Sequence, residues 1–304
     1  MKNLLMISVL GVACSNAPET ADHIVPDARS VPEIPSEHPV RDSSVSFLDR
    51  YDFDQRLWYR DLPGRLDEVS GLGFSPDGRL FAHDDELGRV HEIDPHTGEV
   101  EKRFDLGEEL VRGDFEGITI VGNRFFLITS VGELYEFREG QDREDVAFIR
   151  TDLGLQDRCE VEGLDYDSGR DALLVACKTS RGEDDHAVVH RISLRVEAAS
   201  LPDLRILRSD LETLGVDASF APSGVAVTPM GTVLVISARN DALVEVDHAG
   251  RVVAAVGLRS GRHPQPEGIA IGGDGTLYIA DEKNGKEPRL TAYGARSDRS
   301  GEAS

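Results

Sequence analysis

A short glycine-centred motif recurs five times: EVSGLGF at 68–74, DFEGITI at 114–120, EVEGLDY at 160–166, APSGVAV at 221–227 and QPEGIAI at 265–271. The marker glycines, Gly71, Gly117, Gly163, Gly224 and Gly268, are 46, 46, 61 and 44 residues apart. A period in the forties is that of a propeller blade, a unit that buries its faces only against copies of itself. Each unit continues with a turn, a second strand such as RLFAHDD, RFFLITS or TLYIADE, a third such as RVHEID or LVEVD, and an outer strand. Four strands of about five residues with short turns fill such an interval. Turn clusters such as SPDGR, DPHTG, DSGRD and GGDGT separate the apolar runs, and helical periodicity is sparse. The expected fold is all-β, a five-bladed β-propeller of four-stranded blades.

The fifth unit runs out near Tyr293 after three strands, whereas FDQRLWYRDLP, ahead of the first unit, has strand character and no blade of its own. This N-terminal strand is expected to complete the last blade and so remove the open sheet edge. The long interval between the third and fourth units holds a polar loop, RGEDDH at 181–186, and LRSDLETLGV at 207–216, where Ser209 or Asp210 is placed to cap a short helix. It reads as a loop insertion. The propeller is bounded at 47–295, with a fraying tail at 296–304.

The chain opens MKNLLMISVLGVAC: Lys2, an apolar run from Leu4 to Ala13, then Cys14. That is the layout of a signal peptide over 1–13, too short for a permanent membrane span. Gly11-Val12-Ala13-Cys14 resembles the lipobox of bacterial lipoproteins, with Gly11 where leucine is favoured, which implies lipidation of Cys14; an ordinary cleaved signal or a misread start are the alternatives. Residues 14–46 are rich in Pro, Ser and acidic side chains and read as a disordered tether. The expected location is the bacterial cell envelope, lipid-anchored and facing the periplasm or exterior. Ser15 and Asn16 favour the outer membrane if the host is Gram-negative.

Lys and Arg total 33 against 56 Asp and Glu, a formal charge of -23. Such a field repels phosphate backbones and anionic headgroups. Nucleic acid is excluded as a partner, membrane contact is expected through the lipid anchor only, and the chain is expected to be a monomer. In an oxidising compartment the remaining cysteines, Cys159 and Cys177, can form a lasting disulfide. If 161–167 pairs with 172–177 across DSGRD the two fall roughly opposite, but a one-residue shift of register separates them. A disulfide and a pair of buried thiols both stay open.

The ordered series SGL, EGI, CEVEGL, SGV and QPEGIA with LYIADE resembles the SdiA-regulated family of bacterial secreted or membrane-anchored proteins, over residues 56–294. The resemblance implies a five-bladed propeller with a calcium site, distantly similar to NHL-repeat propellers. It implies no defined activity, since the family name describes how a gene is controlled.

The inner strand of each blade lines a propeller's channel, so equivalent positions converge on the axis. The residues before the marker glycines are Ser70, Glu116, Glu162, Ser223 and Glu267: three carboxylates and two hydroxyls around one hole. Like charges buried together raise one another's pKa unless a cation joins them. Calcium accepts six to eight oxygen ligands in irregular geometry, magnesium demands an octahedron, and zinc prefers nitrogen and sulfur. Two readings stand: a water-filled channel with solvent-satisfied glutamates, or a Ca2+ site, which the resemblance favours. Asp85 and Glu282, at second-strand ends, are candidate further ligands, with Asp84, Asp241 and Asp281 as alternatives. Ser130, Lys178 and Arg239 stand where related chains often carry acids, so the site is expected to be narrower or weaker.

Catalytic motifs are sparse: GxSxG and HExxH are both missing. His83, expected near the channel mouth beside Asp84 and Asp85, is the one candidate general base, against a structural role. The favoured function is a calcium-binding envelope propeller that binds a protein, glycan or small molecule. The alternatives are a calcium-dependent hydrolase of phosphoesters or lactones, with the ion as Lewis acid, and a purely structural envelope protein.

Overall fold

The computed structural model describes residues 46–195 and 200–296. The expected leader, Cys14 with its expected lipidation, and all but the last residue of the expected tether lie outside these residues, as does the tail from 297. The described chain forms five sheets around a ring in sequence order, each built on four antiparallel strands. Their inner strands are Val69–Phe74, Phe115–Val121, Cys159–Asp167, Gly224–Val227 and Pro266–Ile271. In blades 1 to 4 the chain then steps outward by hairpins, so the fourth strand is the rim. Burial follows this order. Val233–Ser237, a second strand, is buried throughout, whereas the rim strand Phe148–Asp152 is almost wholly exposed. Continuous apolar runs are what a strand sandwiched on both faces requires.

There is no single core. Five apolar clusters lie one between each pair of neighbouring blades, the last joining blade 5 to blade 1. Between blades 1 and 2 the filling is aromatic, with Phe81 edge-on to Phe125 at 5.0 Å between ring centres. Ring closure is by strand exchange: Trp58–Asp61 pairs antiparallel with Arg289–Tyr293, from Trp58 opposite Ala292 to Asp61 opposite Arg289, and completes blade 5. The segment before it adds a second closure. Phe47, Leu48 and Tyr51 fill the wedge between blades 4 and 5, and the buried Glu245 carboxylate accepts hydrogen bonds from the Ser46 hydroxyl and the Leu48 N–H.

Two details differ from expectation. Asp145–Val146, in the third-to-fourth-strand connection of blade 2, crosses to pair in parallel with the rim of blade 1, making that sheet five-stranded. The short helix, Arg208–Thr213, starts at Leu207 without a side-chain cap. Ser209 and Asp210 fall inside its first turn because the helix runs straight on from the rim strand Leu204–Leu207, with the Arg208 N–H held by the Asp185 carbonyl.

The marker glycines are where inner strands touch. A Cβ at Gly117 would lie 2.5 Å from the Leu164 nitrogen, at Gly224 2.4 Å from the Glu267 carbonyl oxygen, and at Gly163 3.0 Å from the Cα of Gly224. The obstacles are backbone, which cannot step aside as a side-chain tip can. Gly117→Ala should therefore cost about 1–3 kcal/mol by overpacking, read as a melting temperature several degrees lower. Gly273→Ala, whose Cβ meets nothing within 4 Å, should be silent in the same thermal melt. Equal melting of the two variants would remove the collar from its role in closing the ring.

Candidate axial metal site

Local backbone geometry aims the ring residues at the axis. In blade 1, Val69 pairs with Asp84 and Gly71 with His83, leaving Ser70 without a partner. Glu116 is skipped in the same way between Phe115 and Gly117, and Glu267 between Pro266 and Gly268. In blade 3 the skipped residues are Glu162 and Gly163. Each is a β-bulge, which bends a strand and re-aims the extra side chain. The following glycine lets the bulged backbone press against the next blade. In blade 4 the strand starts at Gly224, and Ser223 sits just before it with its N–H on the Ile236 carbonyl.

The space these residues enclose is small. An axial cavity of about 10 Å³ is bounded by Ser70, Glu116, Gly163, Gly224 and Glu267. It accommodates one water-sized or ion-sized body and no organic ligand. Ser70 donates its hydroxyl to Glu116 at 2.9 Å. Burial, reinforced by the charge of Glu162, pushes the Glu116 carboxyl up to about 9. Burial, with Glu162 and Glu282 nearby, pushes Glu267 up to about 8. Its Oε2 is buried without a hydrogen-bond partner among the described residues. Ser223 is turned away from this role: its hydroxyl donates to the Pro266 carbonyl at 2.7 Å and accepts the Ala238 N–H at 3.0 Å, tying blade 4 to blade 5.

A second tier stands one residue beyond the second-strand partner of each bulge. It is Asp85 in blade 1, Ser130 in blade 2, Lys178 in blade 3 and Glu282 in blade 5. In blade 4 the matching residue is Ala238, and Arg239 beside it is exposed. Burial and the neighbouring Glu68 push both Asp85 and Glu282 up to about 7. Among the described residues Asp85 Oδ1 is likewise buried with no donor, its carboxyl set against that of Glu68. One carboxylate oxygen from each of Glu68, Asp84 and Asp85 lies within 4.8 Å of the others. Glu68 was not foreseen, although it precedes Ser70 by two residues in the repeated motif. Lys178 is the cation of this tier, its Nζ 2.6 Å from Glu162 Oε1 and 3.7 Å from Glu160 Oε1. Burial raises the Glu162 pKa, and Lys178 offsets part of that rise.

The structure removes other candidates. His83 does not stand at the mouth. It is wholly buried against Gly71, whose Cβ would lie 2.4 Å from the imidazole Nε2. Burial lowers its pKa to about 4, so the ring is neutral at pH 7 and sealed from any substrate. Asp281 faces a buried network instead of the channel: it meets His263 Nδ1 at 2.8 Å, and His263 Nε2 meets the Tyr293 hydroxyl at 2.7 Å. Asp241 is a turn residue with φ 47°. A disulfide joins Cys159 to Cys177. The two are not cross-strand partners, since Cys159 faces Ser180 and Val161 faces Cys177; the bulge between Glu160 and Val161 brings them together.

Donor chemistry fits a hard divalent cation. The acceptors are carboxylate and hydroxyl oxygens, two carboxylate oxygens are buried and unpaired, and the space suits one ion; Ca2+ takes this kind of irregular oxygen set. Two clefts adjoin the ring residues. One of about 480 Å³ lies beside Lys178, bounded also by Ser180, Asp184, Arg208 and Arg239. One of about 260 Å³ lies between Asp114, Ser130, Glu160 and Arg181.

Residues 47–285 match the family described as SdiA-regulated. Among solved structures, the glutaminyl cyclase of Myxococcus xanthus superposes with a TM-score of 0.56 at 16% identity, over 80% of this chain and 96% of that one. The PQQ-bound aldose sugar dehydrogenase of Streptomyces coelicolor gives 0.50 at 15% identity, over 79% and 97%. A luciferin-regenerating enzyme gives 0.50 at 10% identity, over 79% and 97%. At these identities the likeness establishes the fold alone.

The raised carboxyls set a pH dependence. Their folded pKa values lie above the unfolded ones, so the stability they allow is complete below about pH 4.3 and is lost as pH rises through about 7 to 9. In chelator, the melting temperature should fall between pH 5 and pH 9, and Glu116→Gln should flatten that fall. A wild-type profile parallel to that of the variant would contradict the buried, unneutralised ring.

Proposed function

The chain belongs to the SdiA-regulated family, and on that premise we propose that it is a calcium-binding β-propeller of the bacterial cell envelope that works as a binding module. The observation that carries the metal reading is the buried, unpartnered Glu267 Oε2 on the wall of an axial cavity of ionic size, with a second such oxygen, Asp85 Oδ1, in the tier of second-strand ends. A divalent cation neutralises what these groups cannot neutralise for one another. Glu116 and Glu267, which line the cavity, would hold it with the Ser70 hydroxyl on Glu116, and Asp85 and Glu282 would be drawn in by the ion, since no three of these carboxylates stand within 4.8 Å of one another without it. The ion's chemistry there is charge neutralisation and cross-linking of blades 5, 1 and 2.

Recognition of a protein, glycan or small molecule is placed in the clefts beside the ring, because the axial cavity itself excludes anything larger than an ion. Binding is favoured over hydrolysis because His83, the base the sequence offered, is sealed in the sheet. The envelope location rests on the leader-like run before Cys14, with lipidation of that cysteine as the anchor. The chain is read as a monomer.

Isothermal titration of calcium into chelator-stripped protein should show binding. At a hundredfold excess over Kd the ion should add about 2.7 kcal/mol of stability, visible as a higher melting temperature. Glu267→Gln and Glu116→Gln should each lower the affinity by tenfold or more, on the order of one lost charged ligand. Absence of both heat and thermal shift in the wild type would end the metal reading. Calcium-dependent turnover of a phosphoester or lactone, lost in Glu267→Gln, would replace the binding reading with a hydrolase.

A further inference from the structure

The ring is electrically lopsided, and the imbalance is built into blade 3. The second-tier position that carries a carboxylate in blades 1 and 5, Asp85 and Glu282, carries an ammonium in blade 3, Lys178. Lys178 Nζ lies against Glu162 Oε1 at 2.6 Å and reaches Glu160 at 3.7 Å. Among the ring and second-tier carboxylates of the described residues, the buried oxygens without a partner are Glu267 Oε2 and Asp85 Oδ1, in blades 5 and 1. Blade 3 therefore gives its axial glutamate a direct ion pair, whereas Glu267 and Glu282 feel the Lys178 charge without pairing to it and Glu116 has only the Ser70 hydroxyl. The disulfide holds this arrangement from both strands, since Cys177 directly precedes Lys178 and Cys159 directly precedes Glu160.

We infer that Lys178 is a tethered cation that permanently occupies the blade 3 side of the axial site, so that Glu162 is its partner and not a metal ligand, and that Lys178 sets the calcium affinity by repelling the ion. The inference rests on the calcium reading above. An ammonium is a compact point charge on a flexible stem, and at this range it screens Glu162 while opposing any second cation on the axis. An ion there would be held by Glu267 and Glu116, with Asp85, and away from Lys178. A site so balanced releases calcium more readily than three free glutamates would, which makes occupancy responsive to the calcium concentration around the protein.

The experiment compares wild type, Lys178→Met, Lys178→Gln, Glu162→Gln and the Lys178→Met/Glu162→Gln double variant by calcium titration and by thermal melts in chelator and in calcium. Lys178→Met should bind calcium about tenfold tighter, the scale of one unit charge at close range in a partly wet site. It should also melt lower in chelator, because Glu162 loses its counter-charge. Lys178→Gln, which keeps a hydrogen-bond donor for Glu162 and guards against a folding defect, should show the same gain in affinity with less thermal loss. Glu162→Gln, which leaves the ammonium unscreened, should weaken the wild type by less than the roughly tenfold expected of Glu267→Gln, and the double variant should lose the gain of Lys178→Met. If the wild type binds calcium and neither Lys178 variant binds it tighter, or if Glu162→Gln weakens the wild type as much as Glu267→Gln does, the inference falls while the calcium reading stands. If no form binds calcium, both fall.

Discussion

Five strands meet around one axis so closely that backbone occupies the place a Cβ would need. This contact, at Gly117 against Leu164 and at Gly224 against Glu267, is the constraint from which the rest of the molecule follows. A strand that must touch its neighbour at one point cannot continue an unbroken ladder there, and it bulges at the preceding residue in blades 1, 2, 3 and 5. The bulge turns Ser70, Glu116, Glu162 and Glu267 inward. Ring closure and the charged collar are thus two results of the same packing, with the wedge-shaped apolar clusters supplying the burial that holds the strands in contact.

Concentrating carboxylates in a space of ionic size opposes folding unless the charge is met. The chain meets it in two ways. Blade 3 does so by an ion pair, Lys178 on Glu162, with the Cys159–Cys177 bond securing both strand ends. In blades 5, 1 and 2 burial raises the carboxyls of Glu116, Glu267, Asp85 and Glu282, and this is the demand that the proposed cation would meet. Instability without metal and selectivity for metal are the same free energy viewed from two states. The fold would then be fully tightened only where the ion is available.

Much of this was legible in the repeat. Glycine at a fixed step in five units marks close backbone approach, and the residue before it marks the axis, so the propeller, the strand exchange at Trp58–Asp61 and the convergence of Glu116, Glu162 and Glu267 could all be read from spacing. What could not be read was register. Bulges leave no composition signal, so the pairing that brings Cys159 to Cys177, and the offset that sets Lys178 on Glu162, emerged only in three dimensions. Side-chain direction was equally hidden. Ser223 and Glu267 occupy the same step of their blades, yet the serine serves the backbone. His83 and Asp281 looked like channel residues because polar groups near a strand end usually face solvent, and both prove to be buried in the sheet. The packing of 46–51 and the crossing of 145–146 to blade 1 depend on non-local contacts that no local pattern announces.

The most direct test of the axial cation is where it sits. Crystals of the protein grown with calcium and measured for anomalous scattering should show one peak on the propeller axis, about 2.3–2.6 Å from oxygens of Glu116 and Glu267, nearer to Asp85 than to Lys178. An axis holding only water, with any calcium confined to exposed surface carboxylates, would contradict the account.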